Sequence, residues 1–180
     1  VEGAELTATL IEASGFEKVE GLVTLSPLDN GTYEINGQTF DKVILSCGAW
    51  LGQTLEPLGF EVDVRPQKGQ LRDYFFEGMD TGRLPVLMPE GELDVIPFAG
   101  GKISVGASHE NDQGFDLTVD ETVLASLEEE AKTYFPDLST AKSFSERVGT
   151  RAYTSDFSPF FGEVPELEGV FVASGLGSSG

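Results

Sequence analysis

Apolar residues first recur at helical spacing. Leu6, Leu10 and Ala13 share one face of Gly3–Ser14, and Gly15 follows as a C-terminal stop. The period then shortens. Val19, Leu22, Val23 and Leu25 alternate in part across Lys18–Leu28, a run broken by Pro27 and by Asp29-Asn30-Gly31. Thr32–Ile35, Asn36-Gly37 and Gln38–Ser46 predict a hairpin, because Asn-Gly fills the two positive-φ positions of a type I′ turn. Its second arm ends on Val43-Ile44-Leu45, an unbroken apolar run that predicts burial on both faces. Ser46-Cys47-Gly48-Ala49 then leads into Trp50, and such small residues let a ligand or another backbone come close.

Beyond Phe60 strands dominate. Glu61–Arg65 alternates, Pro66 interrupts, and Gly69–Phe76, Leu84–Met88, Leu93–Phe98 and Lys102–Ser108 follow, the last two joined by a Gly100-Gly101 turn. Short strands with tight connections predict an antiparallel or mixed sheet. The clearest helix runs from a cap at Thr118 or Asp120 to Pro136, with Val123, Leu127, Ala131 and Phe135 in an i, i+4 stripe. Glu121, Glu128, Glu129 and Glu130 read as its solvated side. Ser143–Arg151 is a polar strand, Arg151–Pro159 a loop, and Gly169–Ser174 an apolar strand. The predicted class is α+β, an antiparallel or mixed sheet with flanking helices.

Composition then removes functions. In 180 residues, 11 Lys and Arg face 31 Asp and Glu, a formal net charge of −20. A chain this acidic does not track a phosphate backbone, so no nucleic-acid partner is expected. No stretch approaches ~18 consecutive apolar residues, the signature of a spanning helix, and Val1–Gly15 lacks a signal-peptide pattern. The lone Cys47 cannot form an internal disulfide, which fits a reducing compartment and an expected cytoplasmic location. One His and one Cys do not make a zinc site of the usual spacing, and no metal is expected. His109, in Ser108-His109-Glu110, has no Gly-x-Ser-x-Gly elbow to serve and reads as a strand-end polar residue.

Gly175-Leu176-Gly177-Ser178-Ser179-Gly180 matches G-x-G-x-x-G after a strand, the pattern whose glycines bring backbone amides to a pyrophosphate. The helix and acidic residue that complete it are not in the chain. Alone, the string reads as a linker, a plain Gly/Ser loop or a cofactor-facing loop cut at its helix.

Its neighbours add to it. Val1–Leu28, Val43–Trp50, Arg65-Pro66-Gln67-Lys68-Gly69-Gln70, Val105-Gly106-Ala107-Ser108-His109-Glu110, Gly149-Thr150-Arg151 and Gly175–Gly180 occur in one order. Together they resemble the FAD-dependent D-amino-acid oxidase superfamily, on the glycine oxidase and sarcosine oxidase side, with Lys68 where Arg is frequent. The resemblance spans nearly the whole chain and implies an internal segment of a longer protein. Residues 1–60 would belong to an incomplete FAD-binding domain, 61–146 to a substrate-binding domain, and 147–180 to a return into the first.

The resemblance also implies roles. Arg151 would hold the substrate carboxylate, which suits a five-donor fork that stays charged. Ser178 would face substrate in some relatives. Val23 would contact the adenine end of FAD through its backbone, or is an ordinary strand residue. Cys47, Gly48, Gly175, Leu176, Gly177, Ser178, Ser179 and Gly180 would bring backbone to the cofactor; Trp50 would shield it, or is simply the largest core side chain. Arg65 and Gln70 would fix strands. Asp94 stands where some relatives place a tyrosine, and a slip of one residue would turn it away. If it faces the pocket, a substrate with a cationic end is favoured over glycine. The implied reaction oxidises an amine α to a carboxylate by hydride transfer to FAD, with hydrolysis of the imine and no acid–base residue in the hydride step. Oxidase and dehydrogenase both remain open, as does an oligomer. A different class, an acidic α+β binding or scaffold domain with a Gly/Ser tail, also fits the composition.

Overall fold

The computed structural model describes residues 3–178, and the chain separates into two units, Val1–Asp41 and Lys42–Gly180. In the first, α1 (Gly3–Ser14) has no buried residue, and Leu10 is 60% exposed. β1 (Leu25–Pro27), β2 (Tyr33–Ile35) and β3 (Gln38–Phe40) form an antiparallel sheet in that order. Asn36 and Gly37 take the left-handed φ values of 51° and 80° that the Asn-Gly turn requires. Only Leu25 and Tyr33 of these strands are buried. The expected strand over Lys18–Leu28 shrinks to β1, since only Leu25, Ser26 and Pro27 find partners on β2.

The predicted second hairpin arm splits. It leaves the sheet after Phe40, and Val43–Leu45 becomes β4 of the second unit. Val43 and Leu45 are buried, but Ile44 is 71% exposed, so burial on both faces is not found. Among the described residues of this unit the Ile44 side is left open. A short turn over Gly48–Trp50 follows, then α2 (Leu51–Leu55).

The main sheet is antiparallel, in the order β6-β7-β5-β8, from β5 (Arg65–Phe75), β6 (Asp94–Pro97), β7 (Lys102–Gly106) and β8 (Lys142–Tyr153). β5 begins at Arg65, later than expected, and runs through Pro66, which pairs with Ala152 near the strand's start, where a missing N–H is tolerated. Leu84–Met88 makes a single bridge, Leu87 to Val95, instead of a strand. A smaller sheet has β4 and β9 (Phe160–Glu163) on either side of β10 (Val170–Ser174), with β10 parallel to β4 and antiparallel to β9.

α3 (Glu121–Tyr134) covers one face of the main sheet. Tyr74, Val95, Ile103 and Val105 pack there with Leu93, Phe76, Ala131 and Leu138. Asp120 caps the helix, its Oδ1 accepting from the amides of Thr122 (2.8 Å) and Val123 (3.4 Å). Asp120→Ala lowers unfolding free energy by about 1 kcal/mol in a urea titration. On the acidic side of α3, Glu121, Glu129 and Glu130 are exposed as expected, and Glu128 is half-buried. Glu121 pairs with Arg72 at 2.5 Å, and Glu128 accepts from the Tyr74 hydroxyl at 2.7 Å. Buried Gln70 joins the sheet to the helix start, donating to Glu110 (2.6 Å) and accepting from the Asp120 amide (2.7 Å).

The opposite face is polar and glycine-rich. Asp73, its side chain only 3% exposed, accepts from Ser104, Ser145 and Arg147. Burial pushes its pKa up, but these three hydrogen bonds and the Arg147 charge outweigh that and hold it below the ordinary carboxylate value. A depressed folded pKa means stability present above the unfolded value and lost as pH falls below it. Asp73→Asn therefore flattens the acid limb of stability below about pH 4, as acid unfolding read by circular dichroism checks.

Candidate functional site

Strand register decides which side chains share the open face. Arg151 of β8 stands opposite Gln67 of β5, Gly149 opposite Gly69, and Arg147 opposite Leu71. Leu71 in turn pairs with Gly106, and Gly106 with Asp94. Side chains alternate across a sheet, so Arg151, Gly69, Arg147 and Asp94 all point away from α3.

The Arg151 guanidinium lies flat across Gly69. A Cβ built on Gly69 would meet Nη1 at 2.5 Å, Cζ at 2.7 Å and Nη2 at 2.8 Å. Glycine is needed at 69 for space rather than for backbone conformation, and the notch fixes where the fork lies. Nη1 donates to the Ser108 carbonyl at 2.8 Å. Among the described residues, no carboxylate is within ion-pair distance of Arg151. Burial pushes its pKa down, and only the Glu92 charge opposes this. A desolvated guanidinium with most of its donors unpaired has the chemistry to receive an anion.

Two loops meet beside it at the carboxyl ends of parallel β4 and β10, the edge at which open sheets bind ligands. Ser174 Oγ donates to the Gly48 carbonyl at 3.0 Å, tying the Cys47–Trp50 turn to the Gly175–Ser178 loop. The Gly177 amide donates to the Ala152 carbonyl at 2.9 Å, which docks that loop on the residue after Arg151. Gly48, Gly175 and Gly177 have φ of 55°, 77° and 55°. The space a side chain would take at Gly48 is empty, and the Leu176 amide has no backbone partner among the described residues. Trp50 stacks on Phe115, ring centres 4.8 Å apart, and is 49% exposed; it is not a core residue. Next to Phe115, a cleft of about 450 Å³ is lined by Arg65, Pro66, Asn111 and Tyr153.

The family model for FAD dependent oxidoreductases (DAO) matches residues 3–180. The chain belongs to that family. It is 36% identical over 189 residues to YurR, an uncharacterised oxidoreductase of Bacillus subtilis, covering 100% of this chain and 50% of the relative. It is 31% identical over 164 residues to a glycine oxidase of Pseudomonas putida, covering 91% of this chain and 42% of that enzyme. Iminodiacetate oxidase from Chelativorans sp. BNC1 superposes with a TM-score of 0.94 at 31% identity, over 100% of this chain and 51% of that one. The chain thus spans about half the length of the relatives it matches. The family match weighs against the scaffold-domain alternative, and the α+β class with antiparallel and mixed sheets is as expected.

Within this member of the FAD dependent oxidoreductase family, most of the residues singled out in the sequence come together. Arg151, Cys47, Gly48, Gly175, Leu176 and Gly177 share the rim just described, and Ser178 continues it. Asp94 shares the open face of the main sheet with Arg151. Val23, 52% exposed, lies in the other unit. Ser179 and Gly180 lie outside the described residues. Open space at Gly48, left-handed glycines at 175 and 177 and the free Leu176 amide fit a flavin cofactor that needs backbone close to it. Sequence reasoning missed Glu92 and Gly69. Glu92 comes from a loop and reaches His109, Oε2 to Nδ1, at 3.3 Å, a contact no local pattern announces. Gly69 was legible only as part of Arg65–Gln70. No helix among the described residues is long and apolar enough to cross a membrane.

Proposed function

We propose that this chain forms the substrate-binding part and one wall of the flavin site of an oxidoreductase that oxidises an amine α to a carboxylate. The observation that carries the reading is Arg151: desolvated, laid in the Gly69 notch, and lacking a carboxylate partner. FAD, when bound, accepts the hydride from the carbon that bears the amine. Arg151 binds and orients the substrate carboxylate, with the Ser108 carbonyl holding one end of the fork so that the other donors point at the anion. Gly48, Leu176 and Gly177 present backbone where a side chain would block the cofactor, and Ser178 lies on the same rim. Cys47 and Trp50 flank this wall, and Asp94 lines the substrate side.

The test uses the full-length protein. Purification with its flanking sequence yields a yellow flavoprotein whose absorbance bleaches anaerobically with a panel of glycine, sarcosine, iminodiacetate and larger amino acids. A colourless full-length protein, or one that no amine of the panel reduces, would overturn the reading. Oxygen consumption in the same assay separates an oxidase from a dehydrogenase.

A further inference from the structure

We propose that the β6 end of the face that carries Arg151 is an acidic subsite that selects amino acids carrying a second, distal cationic group, as in ornithine or lysine. This deepens the function proposed above and rests on Arg151 as the carboxylate receptor. Register puts Asp94 on the same side of the sheet as Arg151, and Asp94 makes no hydrogen bond or ion pair among the described residues. It is half-buried, and burial pushes its pKa up, with only the His109 charge opposing that. A half-buried, unpaired carboxylate is costly unless a cation joins it. Beside it, Glu92 stands 3.3 Å from His109 and is also the acidic group whose charge acts on Arg151. The imidazole Nδ1 is buried without an aligned hydrogen bond. Other charges on this face are committed elsewhere: Arg147 and Lys102 both lie against Asp73.

Spacing decides which cation fits. The Arg151 fork lies over β5, and Asp94 is on β6, two strands away, which is on the order of 10 Å. An α-ammonium, one carbon from the carboxylate, does not reach across. A group three or four methylenes further along does. A second carboxylate in that place would instead face Asp94 and Glu92, so the subsite disfavours dicarboxylic amines such as iminodiacetate.

Binding tests this without requiring turnover. Full-length flavoprotein is titrated with hexanoate, 6-aminohexanoate and adipate, which lack an α-amine and share a chain length, and binding is followed by flavin absorbance or calorimetry. The expected order is 6-aminohexanoate tightest by about tenfold or more, with adipate weakest. Asp94→Asn removes most of the advantage of 6-aminohexanoate over hexanoate, and Glu92→Gln relieves the penalty on adipate. Equal binding of 6-aminohexanoate and hexanoate, or a preference for adipate, overturns the acidic subsite. A flavoprotein that shows the expected order yet is reduced by no amine keeps the subsite and rejects the oxidation reading instead.

Discussion

Arg151→Met in the full-length oxidoreductase raises the dissociation constant of acetate, and KM for a carboxylated amine, by roughly 30- to 5,000-fold. That range follows from about 2–5 kcal/mol for leaving one member of a desolvated charge pair without its partner. The loss appears in binding because the fork's remaining donors are free for an anion, while the protein's own use of it is one bond to the Ser108 carbonyl. Arg151→Lys falls between, since a single ammonium keeps the charge but not the two-point geometry. Thermal stability barely changes in either variant, because Arg151 holds no ion pair among the described residues whose loss would strand a buried carboxylate. Acetate binding within threefold of wild type in Arg151→Met, by calorimetry, would remove Arg151 from the site.

Gly69→Ala comes second, and it acts without touching any charge. The new methyl would sit 2.5–2.8 Å from three guanidinium atoms, so the fork must lift away and give up its bond to Ser108. A displacement on the order of 1 Å costs about 100-fold in a site that works by positioning. The expected result is a comparable rise in the acetate dissociation constant with far-ultraviolet circular dichroism unchanged. Gly149, directly across the ladder, provides the contrast: a Cβ there meets no protein atom within 4 Å, so Gly149→Ala leaves the Arg151 to Ser108 bond in place. Wild-type acetate affinity in Gly69→Ala would show that the fork is not held by the notch.

Local signals were legible in the sequence. Asn36-Gly37 makes its turn, and Asp120 and Pro136 bound their helix, because each acts through its own φ angles or its neighbours' amides. The errors occurred where distant residues decide. Val43–Leu45 looks like the end of a hairpin arm, yet its partner is β10, far along the chain. Pro66 looks like a strand breaker, but at the start of β5 its missing amide proton has no ladder partner to lose. β9 has no counterpart among the expected strands, because the four residues of Phe160–Glu163 are too few to show a period. For the candidate site, residue types and order singled out Arg151 and the glycine loop as candidates. That Gly69 is the seat of the fork, and that Glu92 reaches His109, depends on register and loop path, which no short window contains.

The bond from Ser174 to Gly48 links positions 126 residues apart. Closing so long a loop in an unfolded chain has a large entropic cost, which shrinks once the intervening segment has collapsed. Most of that segment is the antiparallel sheet and α3, whose contacts are closer in sequence. The expected order of folding therefore runs from the middle outward, with the β6-β7-β5 pairs forming early and the parallel β4–β10 pair zipping up last. In a pulse-labelled refolding experiment the amides of Val43–Leu45 gain protection after those of β5 and β7. The β4–β10 end, with the two glycine loops it carries, is thus expected to be the last part of this unit to form and the first to loosen.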